Sequence, residues 1–434
     1  MNILYLVPYA PTPIRTRPYN LIRALASRGH QVTVATLWEN EDERLFLESL
    51  ADKDIRVISA PLTRFQKIIN LLTALPTQLP LQANYCWQPQ LVNRISEQWA
   101  AGGRQWDIVH IEHLRGAKYG LQFNNKNIRV HLRSSASHFS IPIVWDSVDC
   151  ISYLFEQAAQ GSQDFFGRRI TRLDLPRTRK FEGHLIHHFD RVLVTSQIDK
   201  DALEQLSPIS QKSKSSSIVH HPPFISVLPN GVNLNYFAPD PLVRREPATL
   251  VVTGKMSYHA NIAMVKHLYQ DIMPLVWASQ PDVKLWIVGK DPSRDIQALG
   301  QHPLVFISGT VEDVRPYLHG ATLAVAPVTY GAGIQNKVLE AMACATPVVA
   351  GRKAVAALDI EHGVDGLVVD APREFADAIL TLLSNPEKCA QIGRSGRLYT
   401  ETHHNWHHLA EQLEGIYHEV IHRHNCQDSY TTHS

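Results

Sequence analysis

The sequence predicts an α/β protein made of two doubly wound domains, each with a parallel sheet covered by helices. Three observations support this prediction. Short apolar runs alternate with segments of helical periodicity along the chain, which is typical of parallel sheets between helices. An irregular stretch at 207–248, which begins with a Ser-, Lys- and Pro-rich run, separates two such series. The length of 434 residues is sufficient for two sizeable cores.

The first series begins with a predicted strand at 3–7 and a predicted helix at 17–29. In this helix Leu21 and Leu25 lie at helical spacing, and Gly29 suits the position just after the last turn. The further predicted strands of the first series are 31–37, 107–113, 141–146 and 191–196.

The second series is predicted to contain six strands and a helix at 261–277. Several of the strands end in Gly, Ser, Thr or Asp, where ligand-binding loops of parallel sheets begin. A long helix is predicted at 396–424, and the final ten residues are expected to be disordered. The six predicted strands are 249–254, 284–289, 304–309, 322–328, 347–350 and 366–370.

These patterns predict three parts of the chain. We expect a first domain at 1–236 with a loop insertion near 207–225, and a second domain at 237–398. A C-terminal helix at 399–425 is expected to pack back on the first domain. Two doubly wound domains in tandem would leave a crevice between the carboxyl ends of their sheets, which is where ligands bind.

The composition excludes several classes of protein. A hydrophobic share of 44% and a charged share of 19% indicate a soluble globular chain, and a net charge of +1 argues against a dedicated nucleic-acid binder. The five cysteines are scattered without CxxC spacing, so neither a disulfide framework nor a zinc site is expected. No apolar run reaches the roughly 18 residues of a membrane span. We expect a cytoplasmic protein, either free or peripheral at the membrane.

Two absent motifs narrow the function. The chain has no G-x-x-x-x-G-K-[ST], so it is not a P-loop NTPase. The turn after the first strand, "PYAPTPIRTRPYN", has no glycine, which argues against an NAD or FAD enzyme. Arg15 and Arg17 occupy this turn before a helix, where cations are favourable if an anion completes the site. Two solvated arginines are the alternative.

A Lys and a Glu stand three residues apart behind a glycine-rich turn in "GAGIQNKVLEAMACATPVVAG". One interpretation of Lys337 and Glu340 is a surface ion pair, which contributes only a few tenths of a kcal/mol on a helix. The other is that glycines, lysine and glutamate together form one binding site for a ligand.

Three segments decide between these interpretations by resemblance. "SVLPNGVN", "VVTGKMSYHAN" and "YGAGIQNKVLEAMACATPVVA" occur in the order seen in GT-B glycosyltransferases, and the chain resembles in particular the retaining family 4 or group 1 type. "LASRGHQVTVAT" and "RKFEGHLIHHFDRVLVTS" fit the same family. The resemblance implies a GT-B fold with two Rossmann-like domains facing a central cleft. It also implies a role in building bacterial polysaccharides or glycolipids.

The resemblance implies a donor site for a UDP- or GDP-linked sugar. Glu340 would match the second Glu of the E-x7-E element and accept hydrogen bonds from the ribose hydroxyls. Lys255 and Lys337 would hold the diphosphate and act in catalysis. The other implied donor-binding residues are Arg15, Arg17, Gly254, Gly331, Gly333 and Gln335.

The chain also departs from the family pattern. The first Glu of E-x7-E falls on Ala332, and a second basic residue five positions after Lys255 falls on Ala260. The Gly-Gly pair of the first loop is replaced by Ile14 and Arg15. Arg15, Arg17 and Lys337 are the residues expected to supply the missing positive charge.

The acceptor side is expected at the ends of strands in the first domain. Glu112 and His113 are candidate catalytic residues at a strand end, although each is also explained as an ordinary polar strand-end residue. Asp146 and Asp149 follow another strand and are candidates for the acceptor side, with helix capping as the alternative for one of them.

Two further segments are open to two interpretations each. The segment 64–80 pairs apolar positions with Arg64 and Lys67 and could lie on an anionic membrane, but we favour a core or flap helix. The histidines at 403–408 stand at i,i+4, yet without a third type of ligand we interpret the segment as a polar helix and expect no metal.

The sequence thus predicts a retaining, metal-independent glycosyltransferase without a cofactor. Its partners would be a nucleotide-sugar donor and a glycan, lipid-linked or small-molecule acceptor, and not nucleic acid. Two alternatives remain at this point: a nucleotide-sugar 2-epimerase of the same architecture, and a degenerate non-catalytic nucleotide-sugar binder. The second is suggested by Ala332 and Ala260.

Overall fold

The computed structural model describes residues 1–100, 106–124, 141–161, 165–207, 224–330 and 334–431. The chain forms two compact units. The first unit contains Met1–Ala159, Gln163–Pro229 and Trp406–Ser434, and the second consists mainly of Asn230–Asn405. The divisions therefore fall before the predicted junction at 236 and after the predicted one at 398. Most of the predicted insertion at 207–225 lies outside the described residues.

The first unit has a seven-stranded parallel sheet in the order β3-β2-β1-β4-β5-β6-β7. Its strands are β1 Asn2–Val7, β2 Gln31–Trp38, β3 Ile55–Pro61, β4 Ile108–Glu112, β5 Ile143–Val148, β6 Arg191–Val194 and β7 Ile225–Val227. The strand order reverses between β1 and β4. The chain places β2 and β3 on one side of β1, and then places β4 and the later strands on the other side. Such a switch point opens a crevice at the carboxyl ends of the strands.

Helices cover both faces of this sheet, as alternate residues of β1 show. Leu4 and Leu6 belong to one buried cluster, while Ile3 and Tyr5 belong to another. The helices of the first unit are Thr16–Ser27, Glu41–Leu50, Arg64–Ala74, Leu81–Tyr85, Pro89–Ala100, His113–Asn124, Ile151–Gly161, Phe165–Leu185, Gln197–Gln205 and Trp406–Thr431.

The second unit has a six-stranded parallel sheet in the order β10-β9-β8-β11-β12-β13, with its switch point between β8 and β11. The strands are β8 Thr249–Thr253, β9 Lys284–Val288, β10 Val305–Ile307, β11 Leu323–Ala326, β12 Val348–Ala350 and β13 Leu367–Val368. The α-helices are His259–His267, Met273–Ser279, Arg294–Leu299, Arg315–Gly320, Asn336–Ala343, Arg352–Val355, Pro372–Leu383 and Pro386–His403. Two parallel α/β units confirm the predicted fold class.

Two predicted helices are interrupted. The helix predicted at 261–277 contains a π-helical turn, Leu268–Ile272, followed by Pro274, which has no N–H for the regular α-helical hydrogen bond. The helix predicted at 396–424 is in fact two helices that break at His404. The backbone N–H of Val232 donates to the His404 carbonyl at 2.8 Å, and the buried His404 ring is bonded to the Asn230 carbonyl at 2.6 Å.

The C-terminal helix Trp406–Thr431 belongs to the core of the first unit. Trp406, Leu409, Leu413 and Tyr417 lie in the same buried cluster as residues of β1 and of the helix Thr16–Ser27. The helix continues to Thr431, so the expectation that the final ten residues are disordered is wrong for 425–431.

The helix Arg64–Ala74 does not bury its apolar stripe, so of the preferred interpretation of 64–80, a core or flap helix, the core alternative is wrong. Phe65, Ile68, Leu72 and Leu75 are 72%, 55%, 59% and 52% exposed, and the fully buried positions of this helix are Asn70 and Ala74. The Asn70 side chain instead holds the backbone carbonyls at 85 and 87. None of the helices among the described residues is long and apolar enough to cross a membrane.

Candidate active site

In the second unit, the predicted donor residues begin where β8 ends at the switch point. Gly254 has φ +151°, a conformation that side chains rarely adopt, and a Cβ there would lie 2.7 Å from Nδ2 of Asn261. Gly289, at the end of β9, has φ +147°, and its Cβ would lie 1.8 Å from the Gly254 carbonyl oxygen. Two glycines therefore let adjacent strand ends approach closely and shape the turn that carries the exposed Lys255.

Asn261 joins this turn to the helix Asn336–Ala343. Its Nδ2 donates to the Lys255 carbonyl at 3.0 Å, and its Oδ1 accepts from Nζ of Lys337 at 2.7 Å. The Asn261 side chain thus fixes the position of Lys337 relative to the turn that carries Lys255. Asn261 is the last residue of the motif "VVTGKMSYHAN", and the sequence alone does not predict this role.

Lys337 and Glu340 do not form the surface ion pair considered above. No ion pair joins these two described residues, and both are half-buried. Burial lowers the pKa of Lys337 to about 8, which the charge of Glu340 partly opposes. Burial likewise raises the pKa of Glu340 to about 7, which Lys337 partly opposes. Polar groups with such shifted pKa values at a strand-end site are typical of functional residues.

The remaining predicted donor residues of the second unit are Gly331, Gly333 and Gln335. Gly331 and Gly333, with Ala332 between them, lie outside the described residues. Gln335 is half-buried and is the residue that precedes the helix Asn336–Ala343. Ala260 is only 6% exposed within its helix, so the position of the missing second cation is turned into the core.

In the first unit, Arg17 and Asp146 form a buried ion pair. Arg17 is 4% exposed and Asp146 0%, and Nε and Nη2 of Arg17 both lie 2.8 Å from Oδ2 of Asp146. Nη1 of Arg17 also donates to the Leu228 carbonyl at 3.0 Å. This corrects two predictions: Arg17 is not placed to receive a donor phosphate, and Asp146 is not placed to meet an acceptor, because each is engaged inside the unit.

His110 extends this buried network to the C-terminal helix. Nε2 of His110 lies 3.6 Å from Oδ2 of Asp146, and Nδ1 lies 2.9 Å from the Tyr417 hydroxyl. Burial alone would raise the pKa of Asp146, but the positive charge of Arg17 brings it below the usual range. The network therefore ties β4, β5 and the helix Trp406–Thr431 together.

Glu112 supports the loop after β1 and does not face an open surface. It is 1% exposed and accepts hydrogen bonds at 2.9 Å from the hydroxyls of both Tyr5 and Tyr9. Burial, with a smaller contribution from Asp146, raises the pKa of Glu112 to about 7. Tyr9 in turn carries the Arg15 guanidinium 4.6 Å from its ring centroid. This corrects the prediction of Glu112 as a catalytic residue: it positions Tyr9 and, through it, the exposed Arg15.

His113 is the better placed of the two candidate residues at the end of β4. It is half-buried with a left-handed φ of +65°, which turns it out of the strand. Burial, aided by Arg115 and Arg15, lowers the pKa of His113 to about 3. Its Nδ1 accepts from the Arg115 N–H at 3.2 Å. The imidazole is therefore neutral, and Nε2 carries the proton available for donation.

Asp149 is half-buried after β5, and neither it nor Asp146 caps the following helix. The cap comes from Glu182, which is 0% exposed and accepts from the N–H groups of Ile151 at 2.8 Å and Ser152 at 3.0 Å. Burial, with Asp199 adding to it, raises the pKa of Asp149 to about 7. The capping alternative is therefore wrong, and Glu182 is not recognisable as the cap from the sequence because its partners lie about 30 residues away.

No group of three or more His, Cys, Asp or Glu side chains in the described ranges is arranged to hold a metal ion. The histidines at 403–408 fall on the break between two helices, where His404 is buried and bonded to Asn230 and Tyr399.

Comparison with known proteins finds one matching family model for each unit. A model described as "Glycosyl transferase 4-like domain" matches residues 14–211, and one described as "Glycosyl transferases group 1" matches residues 247–385. Together they include the candidate residues of both sheets, from Arg15 to Glu340.

Two curated relatives are mannosyltransferases. A GDP-mannose-dependent monoacylated alpha-(1-6)-phosphatidylinositol monomannoside mannosyltransferase of Corynebacterium glutamicum is 28% identical over 50% of this chain and 61% of its own length. A GDP-mannose-dependent alpha-(1-6)-phosphatidylinositol monomannoside mannosyltransferase of Mycolicibacterium smegmatis is 33% identical over 43% of this chain and 56% of its own length. The chain thus spans little more than half the length of these relatives.

Solved structures resemble the chain over nearly its full length. Sucrose-phosphate synthase from Thermosynechococcus elongatus has a TM-score of 0.65 at 19% identity, covering 98% of this chain and 100% of that one. HepE from Anabaena, in complex with UDP, has a TM-score of 0.62 at 16% identity, covering 96% and 99%. At such low identity these similarities bear on the fold alone.

Proposed function

Because the chain belongs to the group 1 glycosyltransferases of GT-B fold, we propose that it transfers a sugar, with retention and without a metal ion, from a nucleoside-diphosphate sugar to an acceptor. One observation carries this proposal. Asn261 holds the Lys255 turn and Lys337 together at the carboxyl edge of the second sheet, with Glu340 one helical turn further along. Two cations and an acid in this arrangement suit a diphosphate joined to a ribose.

Glu340 is the proposed ribose-binding residue. Its carboxylate makes no hydrogen bond or ion pair with any described residue, so its oxygens are available to accept bonds from two neighbouring hydroxyls. Lys337 and Lys255 are proposed to hold the diphosphate. Gly331 and Gly333 are proposed to offer backbone N–H groups to it, and Gln335 to line the same site.

The proposed reaction needs stabilisation of charge more than a strong base. The transition state is oxocarbenium-like, and negative charge grows on the departing diphosphate, where preorganised cations are most effective. In a same-face mechanism the leaving phosphate accepts the proton of the attacking hydroxyl. The neutral His113 is proposed to donate its Nε2 proton to a sugar hydroxyl, and Asp149 to contact the acceptor.

The role of Glu340 is tested by thermal shift. In a panel of UDP-, GDP- and ADP-sugars, one nucleotide class should raise the Tm of the wild type. At 100 times its Kd, a ligand adds about 2.7 kcal/mol of stability. Glu340→Ala should lose this shift, whereas Glu411→Ala, which removes an exposed carboxylate of the first unit, should keep it. Equal shifts in wild type and Glu340→Ala would remove Glu340 from the site.

We further propose that the protein is peripheral at an anionic membrane, through the exposed stripe of the helix Arg64–Ala74. The stripe formed by Phe65, Ile68, Leu72 and Leu75 has cations beside it: Arg64 is exposed on the same helix, and Nη2 of Arg177 donates to the Leu75 carbonyl at 2.9 Å. An apolar face with a basic margin suits the boundary between lipid headgroups and acyl chains.

Vesicle flotation tests this surface. The wild type should bind vesicles with 30% phosphatidylglycerol more strongly than vesicles of phosphatidylcholine alone. The double variant F65S/L72S should bind at least about a hundredfold more weakly, because burial of each side chain contributes about 1.5–3 kcal/mol. L242S/L398S, which alters two residues of the second unit that are 92% and 62% exposed, is the matched control. Binding that does not depend on anionic lipid, or on residues 65 and 72, would contradict the proposal.

A further inference from the structure

Three cations of the first unit gather around two aromatic rings at positions that no assigned role explains. Lys67 and Arg115 lie over the same ring, that of Tyr85, with Nζ at 5.3 Å and the guanidinium carbon at 5.4 Å from its centroid. Nζ of Lys118 lies 4.3 Å from the ring centroid of Trp87. We call these five residues the Tyr85 cluster. They come from three helices that pack together, Arg64–Ala74, Leu81–Tyr85 and His113–Asn124, and from the residue two positions after the second.

The Tyr85 cluster has more positive charge than its neighbours neutralise. Among the described residues, Glu39 is the single carboxylate paired with it, and it is bonded to Lys67. Lys118 is bonded to the neutral amide oxygen of Asn84 at 2.5 Å. The buried Nε of Arg115 has no hydrogen-bond partner in the described part of the chain. A desolvated guanidinium N–H without an acceptor is unfavourable, so this group indicates a missing anionic partner.

The position of Arg115 connects the cluster to the reaction. Arg115 and Lys118 stand three residues apart on the helix that begins at His113, so they share one face of it. The backbone N–H of Arg115 donates to Nδ1 of His113 at 3.2 Å, and the positive charge of the Arg115 side chain helps to keep that imidazole neutral. An anion held by the Arg115 side chain would therefore lie within a short distance of the proposed sugar-contacting residue.

We propose that the Tyr85 cluster binds a phosphate group carried by the sugar acceptor, with Arg115 as its principal ligand and Lys118 and Lys67 beside it. The proposal rests on the proposed function and deepens it, because it restricts the acceptor to phosphorylated compounds. The donor diphosphate already has proposed cations in the second unit, Lys255 and Lys337, and does not need this cluster. The helix that carries Lys67 also carries the exposed apolar stripe, so a phosphorylated lipid is the acceptor that meets both features.

The test measures binding of two kinds of phosphate to the full-length chain by calorimetry at constant ionic strength. Glycerol 3-phosphate represents the acceptor phosphate, glycerol is its uncharged counterpart, and the stabilising nucleoside diphosphate represents the donor. The variants are Arg115→Met, Lys118→Met and Glu340→Ala. Arg23→Met is the matched control, because its guanidinium lies 5.4 Å from the Tyr19 ring, outside the Tyr85 cluster. The Tm of each variant without ligand shows whether it is folded.

We expect the wild type to bind glycerol 3-phosphate and not glycerol. Arg115→Met and Lys118→Met should each weaken that binding at least tenfold while they keep nucleotide binding. Glu340→Ala should weaken nucleotide binding and keep glycerol 3-phosphate binding. Arg23→Met should change neither kind of binding. Loss of nucleotide binding in Arg115→Met would assign the cluster to the donor and overturn the proposal. The proposal would also be overturned if a folded Lys118→Met bound glycerol 3-phosphate as well as the wild type does, or if the wild type did not bind it. Nucleotide binding retained in Glu340→Ala would count against the proposed donor site alone.

Discussion

Replacing Lys337 with methionine is expected to lower kcat about 10²–10³-fold, the loss found when one preorganised donor to a developing oxyanion is removed. The reason is that Asn261 holds Nζ of Lys337 in place at 2.7 Å, so the cation needs no reorganisation as the diphosphate leaves. The measurement is steady-state transfer with the nucleotide sugar that stabilises the protein. Lys284→Met, which removes an exposed lysine at the opposite end of β9, should leave kcat unchanged.

The same site predicts a bell-shaped pH profile. The competent form has an ionised Glu340 and a protonated Lys337. As pH rises through about 7, Glu340 loses its proton and kcat/KM for the donor increases. As pH rises further through about 8, Lys337 loses its charge and kcat/KM falls. Lys337→Arg should keep the acid limb and lose the alkaline one, since a guanidinium stays charged. A falling limb near pH 8 in this variant would show that another group controls it.

Replacing Arg17 with methionine is expected to lower the free energy of unfolding of the first unit by about 3–5 kcal/mol, because the substitution leaves the Asp146 carboxylate buried without its main partner. Chemical denaturation followed by far-UV CD measures the effect. Arg28→Met breaks the partly exposed pair with Glu414 and should cost no more than about 1 kcal/mol.

The pH dependence of this difference has a definite sign. In the wild type the pKa of Asp146 is lowered, so its contribution to stability is present above the unfolded pKa and is lost as pH falls through the folded one. In Arg17→Met, burial is left to raise the pKa of Asp146, so acid relieves the unpaired charge. The difference in the free energy of unfolding between the wild type and Arg17→Met should therefore become smaller as pH falls. A gap that widens in acid would contradict the assigned role of the pair.

The fold could be predicted from the sequence because its signals are local. Apolar runs and helical periodicity identified both parallel sheets, and Gly29, with φ +86°, ends the helix Thr16–Ser27 as predicted. The breaks at Leu268–Ile272 and His404 were missed. The second depends on a hydrogen bond to Asn230, 174 residues away, which no local pattern contains.

The candidate site was predictable only in part. Gly254, Lys337 and Glu340 stand in motifs that resemble those of the glycosyltransferase family, and their roles stay predictions. Arg17 illustrates the limit, because an arginine in a glycine-free turn after a strand suits an anion equally well whether that anion is a phosphate or a buried aspartate. Only the three-dimensional contact with Asp146 decides. Asn261 was missed for the same reason, since its contact with Lys337 joins residues that are 76 positions apart in the sequence.

The helix Trp406–Thr431 has a consequence for the order in which the molecule is completed during synthesis. Trp406, Leu409, Leu413 and Tyr417 fill the interior around β1, yet the ribosome translates them after the whole of Asn230–Asn405. While the nascent chain is shorter than this, the apolar surface that they cover is exposed. The first unit is therefore synthesised first but can complete its core only after the second unit has been synthesised. A fragment ending at Pro229 would lack part of this core.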